Sequence, residues 1–279
     1  MSYGKTIELF FVNGTSDGII TAELSNWNGK AIKIPRTEIQ SSEREDIRGA
    51  GIYFLLCKDE LGNDSVYIGE AENVYDRLVQ HIRDFQSGKE TYYWSSAVIF
   101  TGRDLNKAHI RYLENKLVEI TVACNRYKML TKNTYKNTKL KESQVAIMDE
   151  FVDNIKLLMS ALGYKFLEEV PKAKTNTTYF YCKAKDAQGK GFISAGGFTV
   201  LKGSTISTGI APSLKTHGVG YYKLRNELES NGTIVNRTFQ LDYEFSAPSA
   251  ASSVIMGHTT NGTIEWKTEN NTKLKDVNI

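Results

Sequence analysis

The chain has 279 residues, 41% of them hydrophobic and 24% charged, and a net charge of only +3. This is the composition of a folded globular protein with room for two cores, and any nucleic-acid surface has to come from local clustering of cations, not from bulk charge. Three scattered cysteines (Cys57, Cys124, Cys182), no leader-like N-terminus and no long apolar run argue against a disulfide framework, a zinc site, export and a membrane span, and point to a cytoplasmic protein.

In chain order, residues 6–39 read as a small β unit. The strand TIELFFV ends at Asn13-Gly14, IITAEL follows, and Asn28-Gly29 turns the chain into KAIKIP. Arg36, after Pro35, reads as a solvated arginine at a strand end, with phosphate contact as the rarer alternative. Residues 37–46 read as a short polar helix or linker. Two further strands, 51–57 (GIYFLLC) and 65–69 (SVYIG), flank a turn-rich link. Asn73 is a good N-cap for a first helix with the apolar stripe Val74, Leu78, Ile82 and Phe85; Arg77 and His81 lie beside that stripe. A strand is expected at 97–101, behind Trp94.

A second helix, after Asp104, carries Ile110, Leu113, Leu117 and Ile120 on one stripe, with Glu114 at its edge. The stretch NRYKMLTKNTYKNTKLK (125–141) has Arg126, Lys128, Lys132, Lys136, Lys139 and Lys141, two tyrosines and no acid. A third helix over 143–162 ends at Gly163, and residues 168–176 read as a linker. Beyond it, Gly-punctuated alternation suggests hairpins, with helices at 222–230 and 249–256. Trp27, Trp94 and Trp266 read as packing residues, and His109, His217 and His258 have no evident partners.

Gly51-Ile52-Tyr53, Tyr67-Ile68-Gly69, Arg77, His81 and Glu114 together, in this order and approximate spacing, resemble the GIY-YIG nuclease family. The stretches IELFFVNGTSDGIITAELSNWNGKAIKIPR and YLENKLVEI look like one bacterial subgroup of it. The block PSAASSVIMGHTTNGTIEWK is similar to a domain of unknown function that often follows the nuclease there. The resemblance implies an α+β fold with a three-stranded, mostly antiparallel sheet flanked by helices. The expected layout is a β extension (1–46), a nuclease domain (47–167), a linker (168–176) and an α+β accessory domain (177–279).

It also implies a chemistry: metal-dependent hydrolysis of phosphodiester bonds in DNA. Glu114 would bind Mg²⁺ (or Mn²⁺), a hard cation that keeps several waters and takes one or two carboxylates. Arg77 would hold the scissile phosphate with its charged fork. Tyr53, assisted by Tyr67, would relay the proton of the attacking water, which requires nearby positive charge to bring down an ordinary tyrosine pKa of about 10. His81 would orient Tyr53 or take the proton itself. The family's late asparagine is Asn133, with Asn125 as the alternative. Arg126, Lys128, Lys132 and Lys136 would contact the DNA backbone. Two rival readings are a weakly active nucleic-acid-binding protein of the same fold, and a nuclease for RNA or for branched or damaged DNA in repair or phage defence.

Overall fold

A computed structural model describes residues 3–58, 64–132, 134 and 139–277. Gly14, at φ 70°, turns β1 (Ile7–Phe11) back onto β2 (Ile20–Leu24). The next turn is made earlier than the Asn28-Gly29 dipeptide suggests, at Asn26 (φ 63°); Gly29 already opens β3 (Gly29–Pro35), where a Cβ would strike the Trp27 ring. β4 (Gly51–Lys58) and β5 (Asp64–Ala71) carry the two tripeptides, followed by β6 (Trp94–Gly102) and the short β7 (Lys128–Met129). These seven strands form one sheet, in the order β1-β2-β3-β6-β4-β5-β7, antiparallel except for β5–β7.

The N-terminal strands are therefore not a separate extension over 1–46. β3 pairs with β6 along its whole length, from Gly29 opposite Gly102 to Pro35 opposite Ser96, and residues up to Glu169 form one compact unit. In place of a polar helix, the connection to β4 has two single turns of 3₁₀ helix, Arg36–Glu38 and Glu45–Ile47.

Helices cover both faces. α1 (Val74–Gln86) is capped by the Asn73 side chain, which accepts from the Asp76 backbone N–H. α2 (Lys107–Cys124) is capped by Asn106, which accepts from Ala108 and His109; α3 (Glu142–Ala161) ends before Gly163, at φ 94°. Alternation along β4 sorts the core: Ile52, Phe54 and Leu56 pack with α2 and α3, whereas Tyr53, Leu55 and Cys57 pack with Val74, Leu78 and Ile82 of α1. Each fully buried aliphatic side chain contributes about 1.5–3 kcal/mol, so the two clusters hold the sheet between its helices. Cys57, Cys124 and Cys182 are buried free thiols.

The second unit, from Val170, has β8 (Phe180–Ala184), β9 (Ala187–Ser194), β10 (Gly197–Val200), α4 (Pro212–Thr216) and α5 (Val219–Ser230). β11 (Ile234–Val235), β12 (Thr238–Phe239), β13 (Tyr243–Phe245), α6 (Pro248–Met256) and α7 (Gly262–Glu265) complete it. An antiparallel sheet β13-β10-β9-β8 and a two-stranded ribbon pack on α6 around Phe198 and Trp266, whose rings are 4.4 Å apart. Arg225 is buried and donates from Nη1 to the Val254 carbonyl (3.1 Å) and from Nη2 to that of Ser207. Both units are thus mixed α+β, and among the described residues no helix is long and apolar enough to cross a membrane.

Candidate active site

The β4–β5 register places Tyr53 opposite Gly69 and Leu55 opposite Tyr67, which brings both motif tyrosines to the face covered by α1. The Tyr53 and Tyr67 rings stack with centroids 6.2 Å apart. A Cβ on Gly69 would run into the Tyr53 hydroxyl and the Tyr67 ring, and one on Gly51 would meet the Phe100 carbonyl 2.6 Å away. Both motif glycines are there because neighbouring atoms occupy the space a side chain would need.

α1 supplies the polar groups. Arg77 and His81, one turn apart, face the same way. The Arg77 guanidinium lies beside the hydroxyls of Tyr53 and Tyr67, near enough for both to favour its charge. Burial opposes its charge, but the two tyrosines outweigh burial and its pKa lies above the ordinary arginine value. The His81 ring is fully buried, with Nε2 2.9 Å from the Tyr53 hydroxyl and Nδ1 2.6 Å from Glu90 Oε1. Burial, with Arg77 and Arg36 nearby, lowers the His81 pKa to about 3, so the ring is neutral at physiological pH. Tyr53 is 1% exposed, and burial raises its pKa well above 10 despite the nearby Arg77 charge. A free tyrosinate is therefore not the form this pocket favours, and the expected lowering by positive charge loses to desolvation.

Glu114 comes from α2 and is buried. Its carboxylate lies near the Glu70 backbone N–H, and among the described residues the buried Oε2 has no hydrogen-bond partner. Burial, and then the neighbouring Glu70 carboxylate, raise its pKa to about 7. Glu70 is itself held by Lys107 Nζ at 2.9 Å and approached by Arg111 Nε at 3.7 Å. Among the described residues no group of three or more His, Cys, Asp or Glu is arranged to hold a metal ion. A single carboxylate with an orphaned buried oxygen still fits a hard divalent cation, whose other ligands are waters and substrate oxygens.

The remaining expected residues separate. Asn125 is the C-cap of α2, at φ 49°, a conformation asparagine tolerates better than most residues. Asn133, Tyr135 and Lys136 lie outside the described residues. Lys128 and Lys132 are exposed, and Arg126 donates to the Glu169 carbonyl at 3.3 Å. Tyr127 packs on Phe166 in the core, centroids 5.2 Å apart, and does not stand out in solvent. After β7, Leu130 donates to the Val66 carbonyl and Thr131 Oγ1 bonds both N–H and C=O of Ile68, so the basic segment runs along the Tyr67-Ile68-Gly69 strand.

Sequence reasoning missed Glu90 and Tyr92, which lie in the link between α1 and β6; the Tyr92 ring stacks on Tyr67, centroids 5.8 Å apart. It also misjudged Arg36. Far from being solvated, Arg36 is 9% exposed, with its guanidinium carbon 4.9, 4.9 and 4.6 Å from the ring centroids of Phe85, Tyr93 and Trp94.

Residues 180–278 match a protein family described as a domain of unknown function, DUF4357, which covers most of the second unit. No curated protein and no solved structure matches the chain.

Proposed function

We propose that the first unit has a GIY-YIG core and is a metal-dependent endonuclease that hydrolyses phosphodiester bonds in DNA, with the DUF4357 unit as its accessory domain. One observation carries the reading. Tyr53, Tyr67, Arg77 and His81 come from two strands and a helix into one cluster, in which Tyr53 stacks on Tyr67 and is hydrogen-bonded to His81, with Arg77 beside the two hydroxyls. The buried Glu114 carboxylate, with its orphaned oxygen, is close enough to raise the Tyr53 pKa.

Glu114 would hold the divalent ion, Mg²⁺ or Mn²⁺, which when bound supplies charge neutralisation at the phosphate oxygens. Arg77, beside the two tyrosine hydroxyls, binds a non-bridging phosphate oxygen. The proton of the attacking water passes to the Tyr53 oxygen as the Tyr53 proton passes to His81 Nε2. No isolated tyrosinate forms, which suits a pocket in which Tyr53 resists ionisation. The exposed Lys128 and Lys132, along the motif strand, offer phosphate contacts that favour a nucleic-acid backbone without reading its sequence.

Incubating the purified chain with supercoiled plasmid and Mg²⁺, beside an EDTA control, tests the proposal. Metal-dependent nicking is the expected result. Intact plasmid under both conditions, with RNA and branched DNA likewise uncut, rejects the enzyme reading.

A further inference from the structure

The cluster contains a carboxylate that the chemistry above does not use. Glu90 lies in the α1–β6 link, brought back by the Gly88 turn (φ 74°) and by hydrogen bonds from the backbone N–H groups of Lys89 and Glu90 to the Asp84 carbonyl. Its Oε1 is 2.6 Å from His81 Nδ1, and the opposite edge of that ring is 2.9 Å from the Tyr53 hydroxyl. Glu90, His81 and Tyr53 thus form one hydrogen-bonded line ending at the candidate proton relay.

A neutral imidazole carries one proton, on either nitrogen, and its two neighbours decide which. An ionised carboxylate only accepts, so it demands the proton on Nδ1 and leaves the Nε2 lone pair facing Tyr53. Burial, and then Asp84, raise the Glu90 pKa above that of an ordinary carboxylate, while the Arg77 and Arg36 charges oppose the rise and favour the ionised form. The Tyr53 hydroxyl has the Arg77 charge beside its oxygen and His81 Nε2 at 2.9 Å, an arrangement that directs its hydrogen to His81. Each donor then has one acceptor along the line.

We infer that Glu90 is a positioning residue that fixes the Nδ1–H tautomer and orientation of His81, so that Nε2 can accept the Tyr53 proton. The tautomer part stands on the distances and charges within the cluster; the catalytic part rests on the nuclease reading. Such buried carboxylate–histidine pairs fix the tautomer in other proton-transfer sites, where it decides whether the imidazole can act as a base.

Selective isotope labelling of histidine tests it by nuclear magnetic resonance of the ring nitrogens. The chain has four histidines, and a His81→Gln variant identifies the His81 signals. At neutral pH the unmodified chain is expected to carry the His81 proton on Nδ1. Glu90→Gln, whose amide oxygen still accepts, keeps it there; Glu90→Ala shifts it towards Nε2 and slows plasmid nicking about 10- to 100-fold. A proton on Nε2 in the unmodified chain overturns the inference, without needing any variant to fold. An unmoved tautomer or undiminished nicking in Glu90→Ala overturns it as well. If the unmodified chain does not nick DNA but shows the Nδ1–H tautomer, the nuclease reading fails and the role of Glu90 towards His81 stands.

Discussion

Tyr53 lies directly across the β4–β5 ladder from Gly69, and its hydroxyl fills the space that a Cβ on Gly69 would need. Gly69→Ala therefore has to push the ring away from His81. The expected outcome is a loss of about 1–3 kcal/mol in urea unfolding, as for other overpacked sites, with nicking lost along with it. Gly51→Ala meets the Phe100 backbone carbonyl instead, so it costs stability without touching the Tyr53 hydroxyl. Gly69→Ala with unchanged stability and rate would contradict this packing.

His81 makes stability depend on pH with a definite sign. Its pKa falls from 6.5 to about 3 on folding, through burial first and Arg77 and Arg36 next. Below pH 6.5 the unfolded chain takes up a proton that the folded chain refuses. The contribution is complete above that value and is lost as pH falls towards 3, at about 1.4 kcal/mol per pH unit. Urea unfolding should show the unmodified chain losing about 2 kcal/mol more than His81→Gln over the first one to two pH units below 6.5. Parallel curves would mean that His81 is protonated in the fold.

Arg36 fills a three-ring cage beside the site, and among the described residues its Nη1 has no hydrogen-bond partner. Desolvated cation–ring contacts contribute about 2 kcal/mol or more. Arg36→Ala should lower stability by about 2–4 kcal/mol, through lost packing and the cavity left behind, and leave the salt dependence of DNA binding as it was. A variant of normal stability but flattened salt dependence would reinstate Arg36 as a phosphate contact.

Lys128 and Lys132 are exposed cations on the part of the basic segment that pairs with and follows along the motif strand. If each neutralises one phosphate, the double alanine variant should reduce the slope of log affinity against log salt by about 2, the value for two lost contacts on duplex DNA. Fluorescence anisotropy with a labelled duplex at several salt concentrations measures it; an unchanged slope removes this segment from the interface.

Local signals predicted α1 and α2, through the Asn73 cap with the helical spacing of Val74, Leu78 and Ile82 and through the apolar stripe of Ile110, Leu113 and Leu117; the Asn106 cap of α2 was not read. The two tripeptides marked β4 and β5 for a reason the register makes physical, since both glycines sit where a Cβ has no room. The union of β3 with β6 was not legible. It pairs residues some seventy positions apart, and pairing partners leave no mark in local alternation. Arg36 was misread because a charge near a strand end is usually solvated, and only tertiary packing builds its cage. Glu90 was missed because its contact with His81 depends on the turn at Gly88, with no helical or strand period behind it.

The central claim is that Glu114 holds the ion used in phosphodiester hydrolysis, and single-turnover nicking of supercoiled plasmid in Mg²⁺ by the unmodified chain and by Glu114→Ala tests it most directly. The unmodified chain should nick in a metal-dependent way, and more Mg²⁺ should be needed as pH drops below about 7, where the raised pKa of the metal-free site protonates the carboxylate and competes with the ion. Glu114→Ala, folded as shown by its unfolding transition, should be slower by at least about a hundredfold, the scale of losing a major electrostatic stabiliser. Equal rates for the two proteins would contradict the account.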